Sequence, residues 1–250
     1  MLKHDLRTPD RRTALAQSGA SYWVQSRWPV TSLAFTAPLL VLYEVGVLVL
    51  RQDAFRNGAD VWMRRRLDHL GFGQYFLLPL LTVCLLLGWQ YISRQPWRFS
   101  PSVLYGMAGE CGLLAGGLWL LLWLEGLVAG SLRLSLRGSL GTVVAYLGAG
   151  IYEELLFRVI LLVSAIGLLR WLRAGPWASM LGGILVTSLL FAAAHHVYGE
   201  PFVWFSFVFR TLAGGFFAVL FLYRGFGIAA GTHAGYDVLI ALTSAAAGRC

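Results

Sequence analysis

The stretch "GAGIYEELLFRVILLV", from Gly148 to Val163, has the apolar density of a membrane-spanning helix, yet two adjacent carboxylates and an arginine lie at its centre. On insertion scales a charged side chain at the middle of a span costs about 2.5–3.5 kcal/mol, whereas each Leu or Ile returns only about 0.3–0.6 kcal/mol. Membrane proteins keep such groups facing a protein interior or a wet cavity, usually for function. The stretch therefore predicts a buried polar site inside a helix bundle.

The composition places the whole chain in a membrane. Of its 250 residues, 58% are hydrophobic and 13% are charged, and the mean hydropathy is +0.67. Soluble domains are closer to half apolar and about a quarter charged. The apolar residues also fall into blocks of about twenty, the length at which a helix crosses a bilayer. We expect an all-α, polytopic integral membrane protein.

The apolar blocks predict seven helical spans, with eight as the alternative count. We expect one integral membrane domain in two parts. Residues 1–138 supply a cytoplasmic N-terminal segment, three spans and an amphipathic interfacial segment, "RNGADVWMRRRLDHLGFGQ", for which a solvated loop is the alternative. Residues 139–250 supply the polar core. The predicted spans are 31–50, 76–93, 103–130, 139–169, 177–198, 202–223 and 226–246.

The net charge of +8 does not indicate a nucleic-acid-binding protein. The arginines lie mainly in the first thirty residues and in short loops, where cationic residues flank spans and contact anionic lipids. No soluble segment is long enough to present a nucleic-acid-binding face. Three cysteines do not form a disulfide framework. We therefore expect membrane lipids, and no nucleic acid, as partners.

Helix geometry separates the three charges of the opening stretch. Glu154 and Arg158 are four residues apart and share a face, so they can form an ion pair. Glu153 is rotated by about 100° and has no cation four residues on. An unpaired carboxylate in an apolar environment is the kind of group that general-base catalysis uses. The alternative, a purely structural ion pair, explains Glu154 and Arg158 but leaves Glu153 without a role.

Two further polar groups lie in later spans. His195 and His196 end the apolar run "TSLLFAAAHHVYGE", and His233 and Asp237 are four apart in "GFGIAAGTHAGYDVLIAL". If these groups meet Glu153 in one wet pocket, the site contains a base, imidazoles and a second carboxyl, which together form a hydrolytic constellation. A proton relay of a transporter is the alternative that uses the same residue types. Glu44 and Arg210 are further charges in spans, without an assigned role.

These residues resemble the signature of the CAAX-protease and bacteriocin-processing family of intramembrane proteases, also called the CPBP or Abi family. The family pattern is Glu-Glu-x-x-x-Arg, then Phe-x-x-x-His, then His-x-x-x-Asn or Asp, on successive membrane helices. Here the three motifs read "EELLFR" (Glu153 to Arg158), "FAAAH" (Phe191 to His195) and "HAGYD" (His233 to Asp237). The resemblance covers about residues 139–246.

The resemblance implies an intramembrane endopeptidase that uses glutamate-activated water, without a covalent intermediate. Glu153 would deprotonate the water and His195 would position it, while Glu154 and Arg158 would hold the helix and its charge. His233 and Asp237 would face the scissile carbonyl or its oxyanion. Family members often have Asn where this chain has Asp237, so that position must donate a proton or act through His233. The expected partner is a membrane-associated protein or peptide substrate, and the expected location is a bacterial inner membrane.

Two alternatives stay open at this point. A zinc-dependent version of the same peptidase would use Glu153, His195 and His233 as ligands around an open coordination position. The sequence lacks the more specific His-Glu-x-x-His zinc signature, so we expect no cofactor. A non-proteolytic immunity or transport protein is the alternative from another functional class.

Overall fold

A computed structural model describes residues 21–50, 56–69, 77–128, 140–197 and 202–247. In these ranges the chain is helical and forms no strand, which confirms the predicted all-α class. The first elements are α1 (Tyr22–Gln25), α2 (Pro29–Leu50), α3 (Gly58–His69), α4 (Leu77–Ser93), α5 (Pro101–Val128) and α6 (Leu140–Glu154). A π-helical segment, π1 (Leu155–Leu162), follows α6 directly, and then come α7 (Val163–Trp171), α8 (Pro176–Val197), α9 (Trp204–Arg224) and α10 (Phe226–Ala247).

Two helices form the centre of the bundle. Every residue from 148 to 158 is buried, and so is every residue from 226 to 234. These runs belong to α6 with π1 and to α10, which pack closely against each other. A Cβ added at Gly150 would lie 2.5 Å from the backbone nitrogen of Ala234. The glycine therefore allows the two backbones to approach as closely as small residues do in membrane bundles.

The outer surface of the bundle is apolar, as a surface in contact with lipid acyl chains must be. On α2, Val41, Leu42 and Val49 each expose more than half of their surface. Within the part of the chain that the structure describes, four helices are long and apolar enough to cross a membrane: Pro29–Leu50, Pro101–Leu124, Pro176–His196 and Trp204–Arg224. Leu77–Ser93 is a shorter apolar helix. The protein is thus an integral membrane protein, and the count of seven spans stays a prediction.

The structure refines the sequence-based expectation in two places. The predicted span 139–169 is not one regular helix, because π1 interrupts it directly after Glu154. π-helical turns are rare in proteins overall, and many of those that occur lie at functional sites. The predicted interfacial segment contains a helix, α3, as an amphipathic segment would and a plain loop would not. Its Asp60 and Arg64 are buried, whereas Arg65 and Arg66 are exposed, so one face of this helix packs against the bundle.

The close contact between α6 and α10 leads to a stability prediction. We expect Gly150→Ala to destabilise the bundle by about 3 kcal/mol, because the added methyl group meets backbone that cannot move aside. For a chain of this length that corresponds to a fall of about 6–12 °C in the apparent Tm. The measurement is the thermal unfolding of the purified protein in detergent.

Gly112→Ala on α5 is the matched control, since a Cβ at Gly112 meets nothing within 4 Å. We expect Gly112→Ala to unfold at the wild-type temperature or slightly above it, because alanine favours helix. Equal melting of the two variants would contradict the tight contact between α6 and α10.

Candidate active site

The site contains a buried ion pair between Arg158 and Glu154, and a histidine is hydrogen-bonded to this pair. Arg158 Nε lies 3.1 Å from Glu154 Oε2, and both side chains are fully buried. The other oxygen of this carboxylate, Oε1, lies 2.8 Å from His233 Nδ1 on α10. The predicted i,i+4 pair is therefore present in the structure. It is joined to His233 by a hydrogen bond between helices that helix geometry alone does not indicate.

Glu153 lies close to two histidines that belong to other helices of the bundle. Its Oε2 lies 3.8 Å from His195 Nε2 on α8 and also 3.8 Å from His233 Nε2 on α10. These separations exceed a direct hydrogen bond. Three polar atoms that face one another in this way suit a water molecule or a carbonyl oxygen held between them.

Hydrogen-bond partners fix the proton positions on the two imidazole rings. His195 Nδ1 lies 2.8 Å from the carbonyl oxygen of Phe191, which can only accept, so Nδ1 donates. His233 Nδ1 donates to the Glu154 carboxylate in the same way. In each ring Nε2 is then the atom that faces Glu153. A neutral ring accepts a proton at Nε2 and a protonated ring donates one from it, so Nε2 of either ring can take part in proton transfer.

Aromatic side chains hold the rings in place. His233 stacks on Phe217, with ring centroids 4.5 Å apart and an interplanar angle of 16°. Phe191 contacts both histidine rings, at 4.8 Å from His195 and 5.9 Å from His233. The Arg158 guanidinium lies 5.1 Å from the centre of the same Phe191 ring. The phenylalanine of the FAAAH motif therefore packs between the catalytic candidates and the ion pair.

The exposed fractions of Glu153, His195 and His233 indicate from which side a substrate can reach these three side chains. The His195 side chain keeps 26% of its surface exposed, compared with 10% for Glu153 and 5% for His233. His195 lies in the last full turn of α8, whereas Glu153 is enclosed on most sides. A substrate would therefore approach past His195.

Asp237 lies at the edge of the cluster that Glu153, His195 and His233 form. Its Oδ2 is 3.6 Å from His233 Nε2, beyond ordinary hydrogen-bond length. Arg210 is close enough to Asp237 to interact with it electrostatically. His196 does not belong to the group: its ring contacts Phe202 and Phe207 instead, with centroids 5.1 and 5.9 Å away.

Sequence reasoning missed one residue that contacts Glu153. Asn57, directly before α3, donates from Nδ2 to Glu153 Oε1 over 2.8 Å. Glu44, which had no role in the sequence analysis, bonds to Arg64 at 2.8 Å and accepts from the Tyr152 hydroxyl at 2.5 Å. The only signal for these contacts was the presence of charges in and beside the first span, and it did not identify their partners.

The zinc alternative would use Glu153, His195 and His233 as ligands. Within the ranges that the structure describes, no group of three or more His, Cys, Asp or Glu side chains is arranged so that it could hold a metal ion. The Nε2 atoms of His195 and His233 both face Glu153, but across 3.8 Å. The zinc-dependent version of the peptidase therefore stays an alternative.

Comparison with known proteins gives one match. Residues 135–239 match the family model described as "Type II CAAX prenyl endopeptidase Rce1-like". This range contains all three motifs, which confirms the resemblance to the CAAX-protease family, and Asn57 lies outside it. No curated protein and no solved structure matches the chain.

The buried ion pair leads to a prediction about stability. We expect Arg158→Met to cost about 3–5 kcal/mol, because it leaves the Glu154 carboxylate buried without its cation. The double variant Arg158→Met/Glu154→Gln removes that charge and should recover part of the loss. Apparent Tm values of the two variants and the wild type measure this coupling.

Arg170→Met is the matched control for this series, since Arg170 is exposed near the end of α7. It should unfold within about 2 °C of the wild type, as surface substitutions change stability little. If Arg158→Met melts at the same temperature as Arg170→Met, the Glu154–Arg158 ion pair does not stabilise the fold, which would contradict this prediction.

Proposed function

We propose that this CAAX-protease-like membrane protein, whose residues 135–239 match the type II CAAX prenyl endopeptidase Rce1-like family model, is an intramembrane endopeptidase that uses Glu153 to activate water. The observation that carries the proposal is the convergence of Glu153 Oε2 with Nε2 of both histidines inside the buried bundle. The proposed substrate is a membrane-associated protein or peptide, of which a prenylated C-terminal segment is the first candidate. The proposed location is a bacterial inner membrane.

The reaction follows from the positions of the groups. A water between Glu153 and the histidines gives a proton to Glu153 Oε2 while its oxygen attacks the scissile carbonyl carbon. The carbonyl oxygen becomes an oxyanion, which the ring nitrogens of His195 and His233 stabilise as donors when those rings are protonated. The C–N bond then breaks, and the proton on Glu153 passes to the leaving nitrogen. The products are a carboxylic acid and an amine, which become a carboxylate and an ammonium when the acid proton passes to the amine, and no bond to the protein forms.

The remaining motif residues support this centre. Glu154 holds His233 from behind through Nδ1, and Arg158 balances the Glu154 charge, so His233 keeps its Nε2 toward the reacting atoms. Asp237 lies where it stabilises positive charge on the His233 ring. This proposed role would suit a carboxyl at a position where family members often have an amide.

Removal of the Glu153 carboxylate tests the proposal. We expect Glu153→Gln to lower kcat/KM by about 100-fold or more, because general-base catalysis contributes about that factor. The probe is a fluorogenic peptide that ends in a farnesylated cysteine and three further residues, with the non-prenylated peptide for comparison. Asp68→Asn on α3 is the control and should cleave at the wild-type rate.

The adjacent histidines provide an internal control. His195→Ala should lose about 100-fold in kcat/KM, whereas His196→Ala should stay within about threefold of the wild type, since its ring lies against Phe202 and Phe207. Full activity of both Glu153→Gln and His195→Ala would refute the proposed site. Failure of the wild type to cleave either peptide would favour an immunity or transport function instead.

Metal dependence is measured with the same assay. We expect 1,10-phenanthroline and EDTA to leave the wild-type rate unchanged, because Glu153 and the imidazoles supply the proton transfers. Loss of activity with recovery on adding Zn²⁺ would replace this mechanism with the zinc-dependent version.

A further inference from the structure

Asn57 occupies a defined position at the start of α3. Its backbone carbonyl accepts the first helical hydrogen bond, from Val61 N, and its side-chain Oδ1 accepts from Ala59 N at 2.8 Å. This is the geometry of a helix N-cap, for which Asn, Asp and Ser are favoured side chains. The cap determines which way the side-chain amide faces.

The orientation of the Asn57 amide follows from chemistry. Ala59 N–H can only donate, so the atom that it contacts must be the amide oxygen. The opposite atom, Nδ2, then faces Glu153 Oε1 at 2.8 Å as a donor. A donor next to a carboxylate forms a charge-assisted hydrogen bond, the stronger kind. The contact therefore holds the Glu153 carboxylate in one orientation.

A buried network of hydrogen bonds and ion pairs holds the backbone of Asn57 in place. Its backbone N–H donates to the Tyr43 hydroxyl at 3.1 Å, and that hydroxyl donates to Asp60 at 2.6 Å. Asp60 is fully buried and bonds to Arg64, which in turn reaches Glu44.

The network then returns to α6. Glu44 accepts a hydrogen bond from the hydroxyl of Tyr152, the residue directly before Glu153. The start of α3 is thus fixed to α2 and to α6 at the same level of the bundle, and the Asn57 amide is fixed with it.

The two oxygens of Glu153 have different surroundings. Oε1 is occupied by Asn57, whereas Oε2 has no hydrogen-bond partner among the described residues and faces the two histidines. A carboxylate held at one oxygen cannot rotate without losing that bond. The free oxygen is therefore kept toward the place where water or substrate would bind.

We propose that Asn57 is a positioning residue of the protease site: it holds Glu153 Oε1 so that Oε2 points at the reacting water. The inference rests on the proposed function, since it assigns a role in the same reaction. It also gives the N-terminal part of the chain, outside the family match, a direct part in catalysis.

Two substitutions separate this role from helix capping. Asn57→Ser and Asn57→Asp both keep an N-cap oxygen, but neither can donate an amide N–H to Glu153. We expect kcat to fall about 10- to 100-fold in Asn57→Ser, with KM changed less than about threefold, which is the usual loss when the partner that orients an active-site ligand is removed. Asn57→Asp should lose at least as much, because it places a second carboxylate beside Glu153. Both variants should melt close to the wild type.

Three comparisons keep the test specific, all with the farnesylated fluorogenic peptide. Arg65→Gln, an exposed position on the same helix, should retain the wild-type kcat. Asn57→Ser/Glu153→Gln should be no slower than Glu153→Gln alone, because the effect of Asn57 passes through Glu153. Wild-type kcat in both Asn57 variants, with Glu153→Gln inactive, would overturn the positioning role and leave the proposed function standing. Full activity of Glu153→Gln would overturn both.

A spectroscopic measurement tests the contact without any substrate. Asn57 is the only asparagine in the chain, so ¹⁵N-asparagine labelling gives the signal of one side-chain NH₂ group, a pair of proton peaks at one nitrogen frequency, in detergent micelles. We expect that signal to shift in Glu153→Gln, which removes the negative charge at the acceptor, and to stay in place in Arg170→Met. An Asn57 amide signal that does not respond to Glu153→Gln would overturn the proposed hydrogen bond whatever the activity data show.

Discussion

The hydrogen bond between Glu154 and His233 joins the two most deeply buried helices of the bundle, α6 and α10. It forms in an apolar environment, where an unpaired carboxylate or imidazole would be costly to bury. The bond requires the two backbones to approach closely, which Gly150 allows at Ala234. With this contact in place, His233 presents its other nitrogen toward Glu153, and the remaining site geometry follows from it.

The charges of α6 illustrate how a membrane bundle holds a reactive carboxylate. Arg158 neutralises Glu154, and Glu154 orients His233. Glu153 is treated differently: one oxygen is bonded to Asn57, and the other faces two imidazoles without a direct hydrogen bond. A general base needs a carboxylate that is held in place and still able to accept a proton. Adjacent residues of one helix thus have separate tasks, because helix geometry directs them to different neighbours.

Much of this arrangement could be predicted from the sequence, because it depends on local spacing. Apolar blocks of about twenty residues gave helix positions close to those observed, and four-residue spacing indicated the Glu154–Arg158 pair. The motif pattern singled out His195 and His233 as the partners of Glu153. Each of these inferences needs only the period of a helix or a known motif.

The parts that were not predicted depend on contacts distant in sequence. Asn57 is 96 residues from Glu153, and it lies beside charges that suggested an interfacial segment instead of a buried one. The bond from Glu154 to His233 spans 79 residues. The π segment after Glu154 has no composition that distinguishes it from regular helix. Such features arise when separate helices pack together, so no single stretch of sequence carries them.

The most direct measurement of the central claim is a crystal structure of the Glu153→Gln variant with a bound substrate peptide, whose cleavage the substitution prevents. We predict that the scissile carbonyl lies between residue 153 and the Nε2 atoms of His195 and His233, with its carbon within about 3–3.5 Å of an ordered water in contact with residue 153. A peptide bound with its scissile bond away from these three side chains would contradict the proposed site.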